Sequence, residues 1–219
     1  MESISLSGTT FALQPELVGL VLQDDSIDDI IFPSGGGFFG VGVSVTNRVI
    51  RSDLDSSVIF APRIVPFLNN TGANFLIDRV VMDGYTDFLL DVNYRTDGLG
   101  DRGPTAAGRS ADGNELSFDF LFPLAISNLF PNPQEQSYFF SIKSDANAYV
   151  NTGSMRIFGR HLDYPDETFE LNYSGLAVPA IGGISAIAEP EGVIYLAFIV
   201  SLVASSRARR KKLISQFSD

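Results

Sequence analysis

Leu116-Ser117-Phe118-Asp119-Phe120-Leu121-Phe122 is the stretch from which the fold class can be read. Successive side chains of an extended chain point to opposite sides, so Leu116, Phe118, Phe120 and Phe122 share one side and Ser117 and Asp119 the other. Residues 168–173 repeat the pattern, with Phe169, Leu171 and Tyr173 alternating with polar neighbours. Apolar on one side and polar on the other describes an antiparallel sheet with one face against a core. Further runs rich in β-branched and aromatic residues stand at 18–23, 41–46, 57–60, 75–82, 88–94, 138–143 and 155–159, separated by Gly, Pro, Asp and Asn clusters. This rhythm predicts an all-β fold, an antiparallel β-sandwich of jelly-roll type, over residues 1–175. No long amphipathic helix pattern is present there, and residues 24–29 are expected to make a single turn at most.

Two stretches break the rhythm. Residues 96–114 are rich in Gly, Asp and Arg and predict a long exposed loop. Its carboxylates and amide carbonyls make calcium the one candidate cofactor, with Asp97, Asp101, Asp112 and Asn114 as ligands, because calcium prefers oxygen donors. The same residue types are the usual turn formers, and that plainer reading is preferred. Residues 176–188 carry Pro179, Gly182 and Gly183 among Ala and Ile and read as a linker.

At 219 residues the chain can bury one sizeable core, or one domain plus an appendage. Hydrophobic residues make up 45% and Phe numbers 18, which argues against disorder. Having no Cys excludes disulfides, thiol catalysis and cysteine-ligated metals. With no Trp, any aromatic surface must use Phe or Tyr. Phe38, Phe39, Phe118, Phe120, Phe122, Phe139 and Phe140 are assigned mainly to the core, an exposed carbohydrate-binding surface being the alternative. The net charge of −11 is unevenly shared: residues 207–219 hold five of the fifteen basic and one of the twenty-six acidic residues. Residues 1–206 therefore carry −15 and the tail +4. Such an acidic body argues against nucleic acid as a partner, since that binding draws on Lys and Arg contacts with phosphate.

Catalytic motifs fare poorly. Residues 35–40 contain three glycines at dinucleotide-fingerprint spacing, but Pro33-Ser34 before them is a turn and Val41–Val45 continues as strand. The fingerprint needs a strand before it and a helix after it, so it is rejected. His161 is the only histidine and sits at a strand-to-turn junction with Asp163 and Asp166 nearby, where a surface histidine needs no function. A lone histidine also makes zinc improbable.

The C-terminus carries the clearest signal. Ala188-Glu189-Pro190 precedes an apolar run containing Val193, Ile194, Tyr195, Leu196, Phe198, Ile199, Val200, Leu202 and Val203. Arg207, Arg209, Arg210, Lys211 and Lys212 follow. A helix over residues 192–206 is apolar all round and about 22 Å long, so it must be buried in protein or lipid. That is somewhat short of a hydrocarbon core, a deficit that snorkelling arginines and local thinning cover. Cations directly behind it predict a membrane anchor with its basic end in the cytoplasm. The expected organisation is therefore a sandwich over 1–175, a linker over 176–188, a sorting signal over 189–212 and a tail over 213–219.

Over about residues 188–212 the chain resembles the PEP-CTERM sorting signal of exported bacterial surface proteins, in which a Pro-Glu-Pro motif precedes a short transmembrane helix and an Arg-rich cluster. Glu189 and Pro190 match, and Ala188 stands in place of the first proline. The resemblance implies recognition by an exosortase-type enzyme, cleavage near Glu189-Pro190, and release or relinking of the body at the surface, often alongside exopolysaccharide. Met1-Glu2-Ser3 brings no basic leader region, so export calls for a leader ahead of it.

The function expected from these features is that of an exported, non-enzymatic cell-surface or matrix protein with a structural, adhesive or polysaccharide-associated role. Two rivals stand beside it. One is a carbohydrate-active enzyme using a carboxylate pair drawn from Asp87, Asp91, Glu115 and Asp119. The other is an intracellular tail-anchored binding protein with its acidic body in the cytoplasm.

Overall fold

A strand with apolar side chains at every second position buries them only by joining a sheet and covering that face with another layer. The computed structural model describes residues 2–31, 40–69, 74–126 and 134–182, all within one compact unit, Met1–Gly183. Their strands are β1 (Glu2–Ser5), β2 (Gly19–Ile31), β3 (Val41–Ser52), β4 (Val58–Phe60), β5 (Arg63–Asn69), β6 (Phe75–Asp83), β7 (Leu90–Arg95), β8 (Ala106–Arg109), β9 (Glu115–Ile126), β10 (Phe139–Ser144), β11 (Ala148–His161) and β12 (Thr168–Ala180). Among the described residues the helical content is one 3-10 turn, Pro15–Leu17.

The strands form two antiparallel sheets, β1-β8-β9-β6-β11-β12 and β2-β3-β4-β10-β7, with β5 also paired to β3. The sheets pack as a β-sandwich. Val43, Val45, Phe60, Ile64, Phe140 and Ile142 of the second sheet meet Val80, Met82, Leu116, Phe118, Met155, Ile157 and Leu171 of the first. Each such aliphatic side chain contributes about 1.5–3 kcal/mol by leaving water. Phe118 and Phe140 stack across the layers at 4.7 Å between ring centroids.

Polar bridges close one side of the sandwich, where β12 meets β2 and β3. The Tyr173 hydroxyl donates to the Val43 carbonyl at 2.8 Å, and the Ala177 N–H donates to Asn47 Oδ1 at 3.0 Å. The Asn172 N–H donates to Asp29 Oδ2 at 3.2 Å. On the opposite side the chain after β1 leaves the first sheet for the second, where Thr9 N–H donates to the Tyr94 carbonyl at 2.8 Å.

Four expectations are corrected. Residues 24–29 are not a turn but the middle of β2: Leu22 and Ile27 pack against the core while Asp24, Asp25 and Asp28 face solvent. The 96–114 stretch is not one exposed loop, because β8 lies within it and buries Ala107 in the core. The linker cannot begin at 176, since β12 runs to Ala180 and Leu176, Ala177 and Val178 are core residues. Phe122 does not join Leu116, Phe118 and Phe120 inside: it is 62% exposed. The β6–β9 register jumps from Arg79↔Asp119 to Ile77↔Leu124, so Phe122 falls in the irregularity, and burial resumes at Leu124 and Ile126. The sorting motif, apolar run and basic cluster, from Ala188 to Lys212, lie outside the described residues, within which no helix is long and apolar enough to cross a membrane.

Candidate ligand-binding face

The outer face of the first sheet collects four of the eight ion pairs found among the described residues. Cross-strand register sets two rows of side chains on it. Asp119, Arg79, Phe158 and Glu170 stand opposite one another across β9, β6, β11 and β12, and Ser117, Val81, Arg156 and Asn172 form the next row. Ser117 and Val81 are buried although they lie on this outer side. Longer neighbours wall them in. Arg79 Nε lies 3.3 Å from Asp119, and Arg156 Nη2 donates to Glu115 at 2.6 Å. Asp83, opposite Glu115 in register, lies 4.0 Å from Arg156 and accepts a hydrogen bond from the Ser154 hydroxyl at 2.8 Å.

A depression of about 290 Å³ sits on this floor, lined by Arg79, Val81, Glu115, Ser117, Arg156 and Phe158. A second, of about 530 Å³, adjoins it through the same Phe158 and reaches Asp78, Arg160 and Glu170. Asp78 explains the widening. It is the unmatched residue in the ladders of β6 with both β9 and β11, and bulges of this kind re-aim side chains. Its carboxylate accepts from Arg160 Nε at 3.0 Å. Gly159 lets this corner close, because a Cβ there would sit 2.3 Å from the Phe169 ring and 2.4 Å from the Leu76 carbonyl oxygen.

The four candidate calcium ligands take part in turn and loop hydrogen bonds. Asp97 accepts from the Phe11 N–H at 2.7 Å and from Arg95 Nε at 3.0 Å, and Asp101 Oδ2 accepts from the Gln136 N–H at 2.8 Å. Burial would push the Asp97 carboxyl up, but the Arg95 and Phe11 donors outweigh it and hold the group below the usual carboxylate range. Asp112 is also held low, first by the Ser110 hydroxyl and then by the Asn114 N–H. Asn114 Oδ1 accepts from the Gly84 N–H at 3.2 Å and the Thr86 hydroxyl at 3.0 Å. Among the described residues no three His, Asp or Glu side chains gather as a metal site.

The carboxylates of the enzymatic rival are split between the sheets. Glu115 and Asp119 share the outer face of β9, two rungs apart and each bound to an arginine. Asp91 lies on β7 opposite Lys143 in the second sheet, and Asp87 sits in a turn at a φ of 67°. His161 is buried, not on the surface as expected: its Nδ1 accepts the N–H groups of Asp163 and Tyr164 at 3.0 and 3.1 Å, and its ring meets Phe75 edge-on. It fastens the β11–β12 turn. Of the glycine-rich stretch and its aromatics, residues 35–39 lie outside the described residues.

Arg79, Arg156, Phe158 and Arg160 had no place among the candidates read from the sequence. A signal existed: Arg156, Phe158 and Arg160 alternate with the core residues Met155 and Ile157, which sets an aromatic ring on a charged side. No protein-family model, curated protein or solved structure matches this chain.

Proposed function

We propose that this chain is an exported bacterial surface or matrix protein, held in the envelope by its C-terminus and associated with polysaccharide through its β-sandwich. The observation that carries the reading is the order at the C-terminus: Glu189-Pro190, an apolar run, then five basic residues from Arg207 to Lys212. Such a run favours lipid, and the cations behind it favour the cytoplasmic side. The PEP-CTERM resemblance adds an exosortase-type partner and cleavage near Glu189-Pro190. The acidic body is then left outside, where the polar outer face of the first sheet is free to meet sugar chains. The role is structural or adhesive.

Protease treatment of intact cells tests the address. The body should be accessible and the basic tail protected, and Glu189→Ala with Pro190→Ala should leave the tail uncleaved. A body sheltered inside the cytoplasm overturns export and favours the intracellular tail-anchored reading. The placement of Asp83 and Glu115 on one arginine keeps the enzymatic reading alive as a second outcome. Release of reducing ends from a polysaccharide by the purified protein, abolished by Glu115→Gln, would establish it.

A further inference from the structure

We infer that the outer face of the first sheet is a track for an extended, uncharged polysaccharide, crossing β9, β6, β11 and β12 with Phe158 as its stacking platform. The inference rests on the polysaccharide-associated reading above and assigns it a place and a ligand class.

Geometry comes first. Phe158 lines both depressions, so they flank one ring on the same sheet, one on each side of it along the row. Strands lie about 4.8 Å apart, so Asp119, Arg79, Phe158 and Glu170 span roughly 14 Å, the length of about three linked pyranose rings. Phe158 is partly exposed in the middle of that row, flanked by Arg156 with its guanidinium carbon 5.8 Å from the ring centre. The apolar face of a sugar ring fits a partly exposed aromatic ring of this kind.

Charge then selects the class. Arg79, Arg156 and Arg160 are each tied to a carboxylate, at 3.3, 2.6 and 3.0 Å. Among the described residues of this face no arginine is left over to neutralise a polyanion, and Asp78, Asp83, Glu115, Asp119 and Glu170 outnumber the three cations. An acidic polysaccharide is repelled. Fixed ion pairs instead present alternating donors and acceptors, which suits hydroxyl groups that both give and take hydrogen bonds.

The full-length protein in mild detergent is run through native gels containing hydroxyethylcellulose, galactomannan, dextran, alginate or chitosan, and separately the matrix polysaccharide extracted from the producing cells. Retardation by at least one neutral polymer and by the matrix extract is expected, unchanged by added salt. Phe158→Ala should weaken it severalfold, up to about tenfold, the scale of a lost aromatic contact, while Phe158→Tyr retains it. Glu170→Gln, at an exposed position on the same row, should weaken it severalfold with thermal unfolding unchanged. Retardation by the matrix extract that survives Phe158→Ala overturns the track and leaves the broader reading standing. Salt-sensitive preference for alginate or chitosan overturns the uncharged class. No retardation by any polymer, extract included, removes both.

Discussion

At the scale of single residues, two buried phenols show how position decides the worth of one hydroxyl. Tyr85 is fully buried, its ring edge-on to Phe60 at 6.1 Å, and among the described residues its hydroxyl finds no hydrogen-bond partner. Tyr173 is buried too, but its hydroxyl bridges the sheets to the Val43 carbonyl. Burial pushes both phenols far up, so both stay neutral throughout the ordinary pH range. An unsatisfied buried polar group costs about 1–3 kcal/mol, whereas a satisfied one contributes about 1 kcal/mol net. The same edit therefore acts with opposite sign. Tyr85→Phe should stabilise the protein by about 1 kcal/mol, and Tyr173→Phe should destabilise it by about 1–2 kcal/mol through the stranded carbonyl. Denaturant midpoints of the two variants check the pair, and a Tyr85→Phe variant less stable than the parent would refute this account of Tyr85.

At the scale of elements, β2 shows how an edge strand is kept single. Its thirteen residues pair, among the described residues, only with β3, leaving a long free edge. Asp24 is taken by Arg48, whose Nη2 lies 2.8 Å away, and Asp29 receives the Asn172 N–H. Asp25 and Asp28 are exposed, where charge deters a second copy from adding a strand. Asp25→Val with Asp28→Val should preserve the fold yet drive concentration-dependent association, seen by light scattering; a variant that stays as dispersed as the parent would show that the edge is guarded otherwise. These same aspartates hid the second half of the strand, whose first part is legible at 18–23, because a run of acids carries no apolar alternation until Ile27 is seen packing inward. β8 was hidden for the converse reason: Ala106, Ala107, Gly108 and Arg109 pair with β9 yet offer no β-branched or aromatic mark. The alternation in β9 was legible to Phe120 and failed at Phe122, since a register jump depends on the partner strand. For the binding face, Phe158 and its arginines could be read as one side of β11, but their meeting with Asp119 and Glu170 depends on pairing across four strands.

At the scale of the whole molecule, an acidic chain carries two opposed responses to acid. Excess carboxylates repel one another, and protonating them relieves the strain on the compact state. Individual carboxylates held by specific partners act the other way. Asp55 is held well below the usual range, first by Lys143, whose Nζ lies 2.6 Å away, and then by Ser57. Burial pushes Glu135 up, but its hydrogen bonds from Arg102 and the Ala125 N–H outweigh that and leave it low. A group whose folded value is depressed stabilises the fold above its unfolded value, about 4.3 for Glu, and that contribution disappears as pH falls through the lower folded value. A single melting curve mixes this loss with the relief of repulsion. A difference between variants separates them, since the general repulsion is nearly common to both. Arg102→Met removes the partner that bridges the segment before β8 to the one before β10, so the parent should melt higher than the variant at pH 6. The gap should shrink steadily below about pH 4.5 as Glu135 takes up its proton. Lys143→Met should show the same narrowing at lower pH and smaller in size, because Asp55 is more exposed and better screened. A gap for Arg102→Met that stays constant from pH 6 to pH 3 would mean that its ion pair with Glu135 contributes nothing to holding the two segments together.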